Sequence, residues 1–239
     1  MLSGFRRLGL EVDSPAAAGR FYRERLGLDP RPVEGGGRAC RVGDATLRLR
    51  APGGDPRGGR HVHYALSGTA GSLGAWRRRL ADLDPTEHDF GTVRSLYVFD
   101  PDDNCVEVAA TPGDADPALD GFFEVVLEVA DLDRSERTYR SLGFDPTDRG
   151  DDRRRVRLSG PVDPDLELWE PQRGLAGARG GAGVDLAFAA PDPAAAAAAV
   201  DGRDRERVDG GVRVRDPDGH ALTFLDQDAA DDGTGAAGR

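Results

Sequence analysis

Lysine and isoleucine are missing altogether from the 239 residues. All 32 basic side chains are therefore arginine, set against 43 Asp and Glu, for a formal net charge of −11. Such a self-repelling, solubilising surface fits a salt-adapted, haloarchaeal-like cytoplasm. A G+C-rich genome would remove the same Lys and Ile codons. Acidity of this degree excludes nucleic acid as a partner, because a phosphate backbone asks for a basic stripe. Cysteine is nearly absent. Cys40 and Cys105 make neither a disulfide framework nor a Cys-x-x-Cys zinc pair, and a reduced, cytoplasmic compartment is expected. No apolar run reaches membrane-spanning length. The opening Met1-Leu2-Ser3-Gly4-Phe5-Arg6-Arg7 lacks the apolar core and cleavage site of a secretory leader.

What the chain does have is a repeat. Leu10-Glu11-Val12, then Tyr22-Arg23 and Leu26-Gly27-Leu28-Asp29-Pro30, return as Leu127-Glu128-Val129, Tyr139-Arg140 and Leu142-Gly143-Phe144-Asp145-Pro146. A second match comes late in each half: Asp100-Pro101-Asp102-Asp103-Asn104 and Asp216-Pro217-Asp218-Gly219-His220. Two matches at nearly one offset mark a tandem duplication, 1–112 and 121–226. The Pro-, Asp- and Ala-rich stretch from Thr111 to Asp120 reads as the linker, and 227–239 as a disordered acidic tail.

Each half divides again. In the first, a strand over Arg7–Val12 leads to a helix that Ser14 caps, Pro15 opens and Gly27 ends. Strands near Arg38–Val42 and Ala45–Arg50 follow. Then come a strand at His63–Leu66, a helix near Ser72–Leu83, and strands at Ser95–Phe99 and Cys105–Ala109. The second half predicts the same order: strand 123–129, helix 132–142, strands near 154–158 and 165–169, strand 184–189, helix 193–200, and strands 206–208, 212–215 and 221–225. The expected class is α+β: four βαβββ modules, paired two by two into two curved sheets.

This order, with Leu10-Glu11-Val12-Asp13, Phe21-Tyr22-Arg23, Ser95-Leu96-Tyr97-Val98-Phe99-Asp100-Pro101 and Asn104-Cys105-Val106-Glu107-Val108, resembles the vicinal-oxygen-chelate superfamily. That family holds glyoxalase I, extradiol dioxygenases and bleomycin-resistance proteins. The resemblance implies two glyoxalase/dioxygenase-type domains, with a candidate metal site in 1–112 and a degenerate domain in 121–226. It implies a divalent metal (Fe, Mn, Zn or Ni) held by imidazoles and carboxylates projecting from the sheet. His63 and Glu107 match two ligand positions. Arg7 stands at the first ligand position, where a guanidinium cannot ligate a metal but can hold an anionic substrate group. Tyr97 and His88 match the hydrogen-bonding tyrosine and acid–base histidine of the extradiol branch. A plain half-buried histidine at 63, a solvated glutamate at 107 and a surface-turn histidine at 88 are the bland alternatives, and His61 shares the strand face of His63. In the second half the corresponding positions are Glu124, Asp185 and Thr223. Glu167 there, and Arg48 in the first half, fall at an additional carboxylate position.

Other motifs carry no chemistry. Gly35-Gly36-Gly37 and Gly53-Gly54 lack the strand and helix of a phosphate loop. Cys105 has no evident relay, and Arg77-Arg78-Arg79 reads as a solvated helix face. The expected function is a metal-dependent small-molecule enzyme, a dioxygenase or a lyase/isomerase, with an incomplete ligand set. The competing reading is a metal-free sequestration protein with no cofactor. Either takes a small molecule, with no membrane and no nucleic acid, as monomer or homodimer.

Overall fold

The computed structural model describes residues 2–34, 36–53, 62–150, 154–171 and 184–229. They form four modules of one plan, a strand, a helix and an antiparallel run of three strands whose last lies parallel to the first. The first module is β1 (Gly4–Glu11), α1 (Pro15–Leu26), β2 (Arg31–Pro32), β3 (Arg38–Val42) and β4 (Ala45–Arg50). The second is β5 (His63–Gly68), α2 (Leu73–Leu80), β6 (Thr86–Asp89), β7 (Arg94–Phe99) and β8 (Cys105–Ala110). The third is β9 (Leu119–Glu128), α3 (Leu132–Arg140), β10 (Asp145–Arg149), β11 (Arg155–Ser159) and β12 (Asp165–Trp169). The fourth is β13 (Val184–Ala189), α4 (Pro193–Ala199), β14 (Arg203–Val208), β15 (Gly211–Arg215) and β16 (Ala221–Leu225).

Local chemistry sets the helix starts. Ser14, Asp131 and Asp192 accept from the backbone N–H three residues on, satisfying a donor that has no partner inside the helix. Pro15 and Pro193 supply the fixed φ of a first turn. Gly27, at φ 71°, ends α1 by bonding back to the Arg23 carbonyl, a left-handed conformation that a side chain would strain.

The modules make two eight-stranded sheets, and the pairing crosses the duplication. Sheet I runs β14-β15-β16-β13-β1-β4-β3-β2, and sheet II runs β10-β11-β12-β9-β5-β8-β7-β6. The outer modules, one from each half, share sheet I, and the inner two share sheet II. The α+β class and the two sheets are as expected. The halves 1–112 and 121–226 are not, however, the two sheets.

One continuous core joins the sheets. Tyr22, Tyr64, Trp76, Tyr139, Phe144, Phe188 and Phe224 are fully buried within it, each contributing about 1.5–3 kcal/mol by leaving water. Phe5 of β1 meets Phe188 of its own sheet at 5.5 Å and Phe122 of sheet II edge-on at 5.7 Å.

The repeated sequence signatures meet as a tether. Tyr22 on α1 donates to Asp100 in the β7–β8 turn, and Tyr139 on α3 donates to Asp216 in the β15–β16 turn, both at 2.8 Å. The N–H of Asp13 bonds Asp102, and that of Ala130 bonds Asp218, at 2.6 and 2.7 Å. Each tether ties a module of one sheet to a module of the other. The duplicated residues are thus the joints between sheets.

Candidate functional site

Strand register assigns eight polar positions to two equivalent quartets. In sheet II, Glu124 lies opposite Ala65 and Val126 opposite His63. Val126 is beside Glu167, and Ala65 is beside Glu107. In sheet I, Arg7 lies opposite Ala187 and Gly9 opposite Asp185. Gly9 is beside Arg48, and Ala187 is beside Thr223. Side chains two apart on a strand share a face, and the same holds across paired strands, so each quartet converges.

The sequence halves split these residues differently. Arg7 was expected with His63 and Glu107, yet it stands on the other sheet. It approaches Asp185 at 3.7 Å, both side chains buried. The second-half positions Glu124, Glu167 and Asp185 do not come together either. Glu124 and Glu167 join His63 and Glu107, and Asp185 joins Arg7. His61 lies outside the described residues, and so do Gly35 and Gly54 of the glycine runs and the tail from 230 on.

In sheet II the His63, Glu107 and Glu124 donor atoms lie within 4.8 Å of one another, all three residues buried. His63 Nε2 is 3.1 Å from a Glu107 carboxylate oxygen. Burial works to raise the Glu107 carboxyl, but His63 and the Ser95 and Tyr97 hydroxyls outweigh it and hold it below the usual value. Glu124 goes the other way. Burial, with the Glu167 charge beside it, pushes it up to about 8 despite Arg157. Arg157 meets Glu124 at 2.7 Å. Both oxygens of Glu167 are taken, by Arg155 and by the Trp169 indole N–H, each at 2.6 Å.

This donor set fits a divalent cation. It offers one imidazole and two carboxylates, borderline and hard donors suited to first-row metals. It also crowds buried carboxylates together, a cost that a cation would reduce and that shows in the raised Glu124 carboxyl. Glu167, drawn off by Arg155 and Trp169, is outside the three-residue group.

The group opens into a cavity of about 1070 Å³. Tyr97 and His88 line it, with ring centroids 5.1 Å apart, and Tyr97 is 5.6 Å from His63. Burial and the Glu107 charge raise the Tyr97 phenol, so it stays protonated and acts as a hydrogen-bond donor. His88 sits on the edge strand β6 rather than in a turn, opposite Ser95.

No family model and no curated protein matches the sequence. Solved structures match its fold. A Bacillus subtilis protein assigned as a dioxygenase superposes with a TM-score of 0.70 at 16% identity, over 96% of this chain and 86% of its own. Glyoxalase I from Zea mays superposes with a TM-score of 0.67 at 18% identity, over 93% of this chain and 92% of its own. The chain therefore has the glyoxalase/dioxygenase-type fold, in its two-sheet form.

Proposed function

We propose that the chain is a metal-dependent small-molecule enzyme of the vicinal-oxygen-chelate type, with its site on sheet II. The observation that carries the reading is the buried His63, Glu107 and Glu124 group at the floor of a large cavity. These three residues would hold the cation, which when bound supplies Lewis acidity to two neighbouring oxygens of a substrate. Tyr97 donates a hydrogen bond to the oxygens at that floor. His88, at the edge strand and lining the cavity, serves as the acid–base group toward the substrate. Glu107 orients His63, and Arg157 and Arg155 hold Glu124 and Glu167 in place. Arg7 takes no part, and the second half contributes Glu124, so the ligand set draws on both halves.

A metal-free binding protein is the second reading. It draws on the same ion pairs: Arg157 and Arg155 already meet Glu124 and Glu167, so the pocket is partly satisfied without a cation. Plasma mass spectrometry on protein purified in molar salt without chelator separates the two. Near-stoichiometric Fe, Mn, Zn or Ni, lost in His63→Ala, Glu107→Ala and Glu124→Ala, supports the enzyme. No metal after reconstitution overturns it and leaves the binding protein.

A further inference from the structure

The sheet II cavity has a charge balance and a wall chemistry that narrow what it accepts. Its carboxylates are Glu107, Glu124 and Glu167 at the floor, with Asp120, Glu128 and Asp148 around them. Among the described residues, the cationic side chains that line it are Arg155 and Arg157. Among the described lining residues, carboxylates outnumber guanidinium groups, and the charge balance is negative. A divalent cation would cancel only part of it.

Neither arginine is available to an incoming anion. Arg155 bridges Glu167 at 2.6 Å and Asp148 at 2.8 Å. Arg157 bridges Glu124 and Asp165, both at 2.7 Å. A guanidinium shared by two carboxylates has no net positive charge to offer a third.

The walls are aromatic. Phe90 and Phe99, the exposed large hydrophobic side chains among the described residues at 63% and 52%, both line this cavity. Trp169 and Phe123 face it as well. Aromatic faces stack planar rings and attract cations, and give nothing to an anion.

We infer that the pocket selects planar aromatic molecules that are neutral or positively charged and turns away anionic ones, peptide-carboxylate conjugates among them. This rests on the small-molecule pocket proposed above, though not on its metal. A charge series on one catechol ring tests it: dopamine, 4-ethylcatechol and 3,4-dihydroxyphenylacetate. The readout is tryptophan fluorescence. Trp76 is fully buried in the core, so quenching reports Trp169.

Binding is measured on chelator-treated and metal-loaded protein, with circular dichroism confirming the fold at each salt concentration. The anion is expected to bind at least about tenfold more weakly than the neutral ring. The gap should shrink as salt rises from about 0.1 to about 1 M, where the screening length falls from about 10 to about 3 Å. Asp148→Asn combined with Asp165→Asn removes one of the two negative charges that each arginine serves and should raise anion affinity about fivefold or more, leaving the neutral ring unchanged. An anion that binds as tightly as the neutral ring in the unmodified protein overturns the inference, and so does a series in which none of the three binds. If the order holds and no metal is ever found, the enzyme reading falls and this selectivity stands. If metal is present and the order is absent, the selectivity falls alone.

Discussion

The two sheets carry the same quartet positions and resolve them oppositely. In sheet II the four side chains are His63, Glu107, Glu124 and Glu167, and their negative charge exceeds what the nearby arginines neutralise. In sheet I they are Asp185, Thr223, Arg7 and Arg48. Arg7 at 3.7 Å, Arg213 at 3.2 Å and the Thr223 hydroxyl at 3.0 Å all serve Asp185. The cation that sheet II would borrow is built into sheet I as a side chain. One geometry thus gives a carboxylate-rich group around a histidine or a closed ion pair, depending on whether the position holds Glu124 on β9 or Arg7 on β1. An internal ion pair must be desolvated once, at folding, and then stays, whereas a bound ion is exchangeable and can share its shell with a substrate.

Four measurements break or sharpen that contrast. The largest effect is expected from Asp185→Ala, which removes the buried carboxylate that Arg7, Arg213 and Thr223 serve. It should cost about 3 kcal/mol in denaturant unfolding and leave metal content unchanged. Glu124→Ala inverts the pattern: metal affinity, read by isothermal titration, should fall about 100-fold or more, with little loss of stability. A protein that responds identically to both substitutions would erase the distinction between the sheets.

The tethers should behave alike on both sides. Tyr22→Phe and Tyr139→Phe each remove a hydrogen bond to a buried aspartate and should each cost about 1–2 kcal/mol. A difference beyond about 0.5 kcal/mol would assign the repeat signature to one sheet rather than to the joint.

The smallest effect is a pH slope. Without metal, Glu124 is raised to about 8 in the folded chain, from an ordinary carboxyl value when unfolded. Between those values the folded state holds a proton that the unfolded state has released. Its contribution is complete in acid and is lost as pH climbs to about 8. The melting temperature of the metal-free protein should therefore fall on this account across the window. Glu124→Gln should flatten that slope, and metal affinity should rise with pH toward 8 as proton release becomes easier.

Much of this was legible in the sequence. Three of the four helix starts follow from Ser14-Pro15, Asp131 and Asp192-Pro193, because capping is local chemistry. Most strands follow from period-two alternation. Strands β2, β6 and β10 were missed because Arg31–Pro32 and Thr86–Asp89 are wholly exposed, and Asp145–Arg149 nearly so. A strand at the edge of a sheet with no buried face has no apolar period to read. All eight quartet residues were visible as positions, but their grouping was not. Modules of one pattern are interchangeable as strand partners, and backbone ladders carry no sequence mark of which module lies beside which. Arg7 was therefore placed with His63, when its neighbour across the sheet is β13.

The tyrosine–aspartate tethers make the closed ion pair of sheet I hard to discard. Tyr22 belongs to the module that bears Arg7, yet its hydroxyl secures the turn that leads into the Glu107 strand. A deletion that removed the closed ion pair would also loosen the open quartet, and cutting the chain at its linker would leave each fragment with half of both. The crossed pairing acts as a ratchet: with one module of each copy in each sheet, neither copy can be removed without dismantling both sheets.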